Sequence, residues 1–387
     1  MSENKLVEEP RVLAGPQFNS GNFAVAEAAL FAGLHGYFGY PITPSTTIME
    51  RLASRLPYVE KPGAFLQAED EIASITAVIG CSWTRNKAMT ATSGPGFSLM
   101  QEGIGLATFT ETPLVVVNVM RGGPSTGLPT FPAQQELMQA HFGSHGDYMV
   151  PTFAPNNVQE CFDLTIEAFN ASEALRTPVF VLTDQILSTL KERFLIPKKE
   201  NIELVNRSSP DNPHITWKGE TISSNLVLPM NCFGEESKAF ATGLSHDDTG
   251  HVDLSADTYE LLMNRLKEKI LTYQHLFPKP EKYLIDDADT VVVAYGSTAR
   301  SAKYAVNSAR KKGIKAGLYR LRTIWPFPKD DIIQSLRGKR IIVVEMSSGQ
   351  LIWPVERYLK QDVEHIGYLR GSVPPPSLIR KKIEGVN

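Results

Sequence analysis

Gly39-Tyr40-Pro41-Ile42-Thr43-Pro44-Ser45-Thr46 follows an Ala-rich, helix-like segment (22–34) and a short aromatic run, Tyr37-Phe38. Pro41 and Pro44 each fix φ and remove a backbone donor, so the stretch continues neither a helix interior nor a sheet ladder. Each also pushes the residue before it, Tyr40 and Thr43, toward extended backbone. The expected product is a stiff turn after a buried strand. It bears the hydroxyls of Thr43, Ser45, Thr46 and Thr47, with Ser45 or Thr46 placed to cap the next helix. In open α/β sheets ligands bind here, just past the carboxyl end of a strand.

On either side of this turn, helical and short apolar stretches alternate. Ala64-Phe65-Leu66-Gln67-Ala68 reads as a strand and 70–84 as a small-residue helix. Lys87-Ala88-Met89-Thr90-Ala91-Thr92 is a second strand, stopped by Ser93-Gly94-Pro95-Gly96 before a helix at 97–109. Pro113 to Val119 and Pro178 to Asp184 are near-continuous apolar runs of the kind buried on both faces. This rhythm predicts a doubly wound parallel sheet over 15–197. From 198 to 288 the periodicity fails, and the stretch reads as a linker with connecting elements, closed by a helix at 257–273. Strands at Thr290-Val291-Val292-Val293-Ala294-Tyr295, 315–320 and 340–345 predict a second, smaller α/β domain over 289–387.

The chain has 387 residues, 42% hydrophobic and 21% charged, as in a soluble globular protein with ample core. A net charge of -3 leaves no footprint for nucleic acid or an anionic membrane. No apolar run suffices to span a bilayer, and Met1 to Lys5 lacks the apolar core of a secretory signal. Cys81, Cys161 and Cys232 are far apart, with no CxxC pair, so this chain by itself holds neither a zinc tetrad nor an iron–sulfur cluster. The expected location is the cytoplasm.

Several residues invite chemistry. Glu69 sits where a strand meets a helix, behind the apolar Phe65, Leu66 and Ala68. The reading is either a partly desolvated acid–base group or a first-turn acid favoured by the helix dipole. Arg121 follows a buried strand and leads into Gly122-Gly123-Pro124-Ser125-Thr126-Gly127-Leu128-Pro129-Thr130. It is either an anion clamp or a side chain that snorkels to the surface. Ser93-Gly94-Pro95-Gly96 reads as a tight turn, having neither the P-loop Lys nor a GxGxxG pattern. His141 and His145 have i, i+4 spacing, but Gly143 and Gly146 break the helix that a metal pair needs, so no metal is assigned.

Taken together and in order, Tyr40-Pro41-Ile42-Thr43-Pro44-Ser45, Gln67-Ala68-Glu69, Thr92-Ser93-Gly94-Pro95-Gly96, the Arg121–Thr130 loop and Trp325-Pro326-Phe327-Pro328 resemble the α subunits of the 2-oxoacid:ferredoxin oxidoreductases. These are thiamine diphosphate enzymes that oxidatively decarboxylate a 2-oxoacid to an acyl-CoA, and the resemblance covers nearly the whole chain. It implies a pyrimidine-binding domain first and a transketolase C-terminal-like domain last. Glu69 matches the glutamate that hydrogen-bonds the aminopyrimidine, making Glu69 catalytic, with Pro44 also beside the cofactor. Thr43, Arg121 and Thr130 match substrate-side residues, Arg121 pairing with the 2-oxoacid carboxylate.

The Gly-Gly-Pro-Ser-Thr-Gly-Leu-Pro-Thr loop looks most like that of the 2-oxoglutarate branch, which yields succinyl-CoA, CO2 and reduced ferredoxin. A broad-specificity enzyme acting on pyruvate or branched-chain 2-oxoacids is the alternative. Two further alternatives are a non-catalytic scaffold subunit and a transketolase-type enzyme. The sequence has no Gly-Asp-Gly stretch for a magnesium diphosphate site. A β subunit is therefore expected to supply Mg2+ and an iron–sulfur cluster, with thiamine diphosphate at the α–β interface. No fused N-terminal γ domain is expected, which allows for separate γ and δ subunits alongside ferredoxin and CoA.

Overall fold

The computed structural model describes residues 12–59, 63–210, 226–235, 239–247 and 250–386. Met1 to Lys5, and Asp211-Asn212-Pro213, Asp248 and Thr249 of the irregular 198–288 stretch, lie outside them.

The chain enters through β1 (Gly15–Ser20) and α1 (Gly21–Phe31), whose first turn is capped by the Ser20 hydroxyl accepting from Phe23 N. Then follow β2 (Gly36–Gly39), α2 (Thr46–Arg55), β3 (Ala64–Gln67), α3 (Glu71–Ser82) and β4 (Ala88–Thr92). The segment expected as one helix at 97–109 is two, α4 (Pro95–Leu99) and α5 (Gln101–Phe109), meeting at Met100. Next come β5 (Leu114–Met120), α6 (Gln139–Phe142), β6 (Thr152–Phe153), α7 (Val158–Leu175) and β7 (Pro178–Asp184). After α8 (Gln185–Thr189), β8 (Lys191–Ile196) pairs antiparallel with β1.

In the irregular middle stretch lie α9 (Ala256–Thr272) and β9 (Glu281–Tyr283). The last part runs β10 (Thr290–Tyr295), α10 (Thr298–Arg310), β11 (Ala316–Leu321), β12 (Thr323–Trp325) and α11 (Lys329–Leu336). It closes with β13 (Arg340–Glu345), α12 (Ile352–Leu359), β14 (Glu364–Gly367) and α13 (Pro376–Ile383).

Among the described residues these strands form two large sheets. The first has the order β12-β6-β7-β5-β4-β2-β3 and is parallel except where β12 joins β6. The second has the order β14-β13-β10-β11-β9 and is parallel except at β9. Every residue of β5 and β7 is buried, so both faces must be covered. On one face β4 and β5 residues such as Met89, Val115 and Val117 pack in one core with α1 and α7. On the other, Ala88, Val116 and Met120 share a core with Ile75, Ile104, Tyr295 and Trp325. The second core therefore continues from the first sheet into the C-terminal part, and β12 extends the first sheet itself.

α9 is tied to the first sheet through buried charge. Glu111, between α5 and β5, accepts from Arg265 Nη1 at 3.0 Å and from Lys269 Nζ at 2.6 Å. Burial alone would raise the Glu111 carboxyl, but Lys269, Arg265 and Arg176 together hold it well below the usual carboxylate range. Removing one partner strands the others in a low dielectric. Glu111→Gln is therefore expected to destabilise the chain by about 3–5 kcal/mol, read as a shift of the denaturant midpoint. A shift under 1 kcal/mol, on the order of an exposed pair, would mean that water relieves the cluster.

Candidate active site

The Pro-rich turn lies past the end of β2, held from below by α1. The Asn22 amide donates to Pro44 O and to the Thr47 hydroxyl, each at 2.8 Å. Ser45 is buried and its hydroxyl donates to Ile42 O at 2.8 Å. It stands at the N-cap position of α2 but makes no side-chain cap there, contrary to expectation, because its hydroxyl is spent on the turn itself. Thr43 is exposed and Pro44 half-buried. The Thr43–Pro44, Gly123–Pro124 and Trp325–Pro326 peptides are cis.

Glu69 follows β3 and precedes Asp70, whose side chain caps α3 by accepting from Ala73 N at 2.7 Å. Of the two readings of Glu69, the partly desolvated one is not found among the described residues, where Glu69 is exposed. The reason is topological: β3 is the edge strand and Leu66 is 51% exposed, so among the described residues nothing covers that side. The buried carboxylate of that helix start is Glu71 instead. Burial pushes its carboxyl up, with Arg121 opposing. Gly96 lets the α4 backbone come close here, since a Cβ would lie 2.2 Å from both Glu71 Oε1 and Thr92 Oγ1.

Arg121 follows β5 and is 4% exposed, so it does not snorkel. Its Nη1 donates to Thr43 O at 2.5 Å, joining the loop to the Pro-rich turn across the intervening strand β4. Nε is buried without an acceptor, and no carboxylate reaches salt-bridge distance of the guanidinium among the described residues. A buried guanidinium with one neutral acceptor is strongly under-satisfied. On β4, β5 and the turn after β4, the hydroxyls of Thr90, Thr92 and Ser93 and both polar atoms of Asn118 are buried without protein partners. The loop beyond Arg121 folds back on itself, with Leu128 N donating to Gly122 O at 2.8 Å. Gly127 has φ +48, and a Cβ there would meet Gly122 O at 2.0 Å, so only glycine fits. Thr130 is exposed on this loop.

Glu136 closes the base of the loop and was not singled out by its sequence context. It is buried, and the main-chain N–H groups of Arg121 and Gln135 face its carboxyl oxygens. Burial outweighs these donors and pushes the carboxyl up to about 8. The native state then keeps a proton that the unfolded chain releases near 4.5. Stability from this group is therefore full below that value and is lost as the pH rises to about 8. Glu136→Gln is expected to flatten this slope; urea midpoints measured at about pH 5 and about pH 8 test it.

His141 stacks on Trp325 with ring centroids 4.1 Å apart, and burial pushes its imidazole down to about 4. His145 lies beyond the end of α6 with a 90% exposed side chain, so the structure does not bring the pair together. Among the described residues no three His, Cys, Asp or Glu side chains converge as a metal site, and no helix is long and apolar enough to cross a membrane.

The site thus has an exposed carboxylate at the sheet edge, a rigid turn, and an under-satisfied buried guanidinium two strands beyond the turn's own strand. Residues 27–264 match the family profile "Pyruvate flavodoxin/ferredoxin oxidoreductase, thiamine diP-bdg", and 288–378 match "Pyruvate:ferredoxin oxidoreductase core domain II". The fold and site define an α/β thiamine diphosphate-binding oxidoreductase subunit. The chain is 45% identical over 371 residues to the 2-oxoglutarate synthase subunit KorA of Methanocaldococcus jannaschii, covering 95% of this chain and 99% of that one. It is 44% identical over 373 residues to the subunit of the same name from Methanothermobacter marburgensis, covering 95% and 98%. A solved 2-oxoglutarate:ferredoxin oxidoreductase from Magnetococcus marinus, with 2-oxoglutarate, coenzyme A and succinyl-CoA bound, superposes with a TM-score of 0.91 at 33% identity. That superposition covers 96% of this chain and 65% of the other. The chain belongs to the 2-oxoacid:ferredoxin oxidoreductase family, as an α subunit.

Proposed function

We propose that this subunit binds and orients 2-oxoglutarate in an enzyme that decarboxylates it oxidatively with CoA, giving succinyl-CoA, CO2 and reduced ferredoxin. The observation that carries the reading is Arg121, a buried guanidinium with one neutral acceptor beside a hydroxyl-bearing loop. A 2-oxo carboxylate offers two coplanar oxygens to such a fork while leaving the neighbouring carbonyl open. Thr43, whose carbonyl accepts from Arg121, and Thr130, towards the far end of the loop, are exposed and would complete the substrate side.

Thiamine diphosphate fits one side of the site. Glu69 and Pro44 would receive its aminopyrimidine end, while among the described residues no three His, Cys, Asp or Glu side chains converge to hold a metal. When bound, the cofactor supplies the carbon nucleophile that adds to the 2-oxo carbon. Glu69, exposed just past the edge strand, would hold the proton at the pyrimidine ring.

A β subunit carrying Mg2+ and an iron–sulfur cluster would cover that edge, with ferredoxin as acceptor. The α3 face supports this. Ile72 is 53% exposed, and Gly80 stands in the helix with nothing within 4 Å of a Cβ, a costly residue unless another chain packs there. Gly80→Leu is expected to leave the chain's own melting temperature unchanged or raised while reducing co-purification of the β subunit. Full recovery of β would argue against this face.

The activity is tested by anaerobic, CoA-dependent reduction of a viologen dye by the complex co-purified with this chain. 2-Oxoglutarate should be preferred. Preference for pyruvate would move the substrate assignment, and no turnover with any 2-oxoacid would favour a scaffold role.

A further inference from the structure

The segment that follows the Arg121 loop is held largely by the C-terminal domain. Gln134 is fully buried, and each of its polar atoms finds a partner in the C-terminal part. Its Nε2 donates to Tyr295 O at 2.9 Å, while its Oε1 accepts from Thr298 Oγ1 at 2.8 Å and from Met346 N at 3.0 Å. Its main-chain N–H donates to Met346 O at 3.0 Å, and its carbonyl accepts from the Tyr295 hydroxyl at 3.4 Å.

The residues after it are held the same way. Gln350 Nε2 donates to Gln135 O at 2.5 Å, Met138 N donates to Gln350 Oε1 at 2.9 Å, and Trp325 Nε1 donates to Leu137 O at 2.9 Å. From this clamped segment contacts run directly back to the loop. Gln135 Oε1 accepts from Gly123 N at 2.8 Å, and the Glu136 carboxyl faces the Arg121 N–H. At the loop's far end, Gly371 of the C-terminal part packs so close to Phe131 that a Cβ would meet it at 3.1 Å.

We infer that Gln134 and Gln350 are positioning residues for 2-oxoacid binding: through them the C-terminal domain sets where the Arg121 loop sits. The inference rests on the proposed role of Arg121. A buried amide such as Gln134, with a partner for each polar atom, specifies one arrangement, because any slip strands several polar groups at once. Small displacements of a substrate-orienting group carry large kinetic effects.

The test compares Gln134→Met, which keeps the side-chain length and removes its hydrogen bonds, with Gln350→Ala, which releases the segment from the other side. Arg121→Ala serves as control, all in the co-purified complex. Each glutamine variant is expected to raise the apparent KM for 2-oxoglutarate on the order of tenfold while leaving that for CoA unchanged. The double variant should fall short of the product, since both hold one segment. Gln134→Glu should recover substrate affinity as the pH is lowered, because only a protonated carboxyl donates to Tyr295 O as the amide did.

If Arg121→Ala raises KM and neither glutamine variant does, this inference fails and the proposed function stands. If Arg121→Ala leaves KM unchanged, the reading of the loop fails and takes the inference with it. A lowered melting temperature with both KM values at the parent's level makes the clamp purely structural and also overturns it. Should Gln134→Met not fold, Gln350→Ala, on a half-buried side chain, decides the question.

Discussion

Replacing Glu69 with glutamine is expected to lower turnover with every 2-oxoacid by about 100- to 10,000-fold, the range for losing a positioned acid–base group. Glutamine keeps the side chain's size and one acceptor oxygen but cannot hold or release the proton. Glu69 is exposed here only because β3 is the edge of the sheet; covering that edge would desolvate it and strengthen its bond to whatever it meets. Asp70, one residue on, is already spent in capping α3, so it cannot stand in. Viologen-dye reduction by the intact complex, with 2-oxoglutarate and pyruvate in parallel, checks the expectation. Turnover at the parent's level with both acids would remove Glu69 from the chemistry.

Arg121→Ala is expected to act differently, raising the apparent KM for the 2-oxoacid by roughly 30- to 3,000-fold, as for truncating one partner of a buried charge pair. The apparent KM for CoA should stay near the parent's value. Arg121→Lys should not restore affinity. A lysine presents one point charge in place of a fork, and its more strongly hydrated ammonium pays more to enter a position 4% exposed. Some of the loss would come from the turn, since Arg121 also donates to Thr43 O. Initial rates over a range of 2-oxoglutarate concentrations separate the two variants. A fall in kcat with KM unchanged would show that Arg121 supports the turn and does not meet substrate.

The two α/β units, the run of Pro178–Asp184 as a strand and the turn after β2 follow from local pattern alone. Apolar runs of strand length, prolines and small-residue helices are properties of neighbouring residues, so reading along the chain finds them. The comparisons agree with the family that the linked motifs suggested. Glu71, Glu136, Asn22 and Gln134 escaped notice for the converse reason. Their surroundings are assembled from distant segments: Gln134 meets Tyr295, Thr298 and Met346, and Asn22 meets Pro44 and Thr47.

By itself, then, the sequence determined the strand-and-helix rhythm and which residue types stand at strand ends. Tertiary structure alone decided their environments. It buried Arg121 against Thr43 O, left Glu69 exposed just past an edge strand, and sent β12 into the first sheet. The physical reason is that periodicity reports a residue's face, whereas burial and charge balance depend on which strand lies next to which. That order is set by packing across the whole chain.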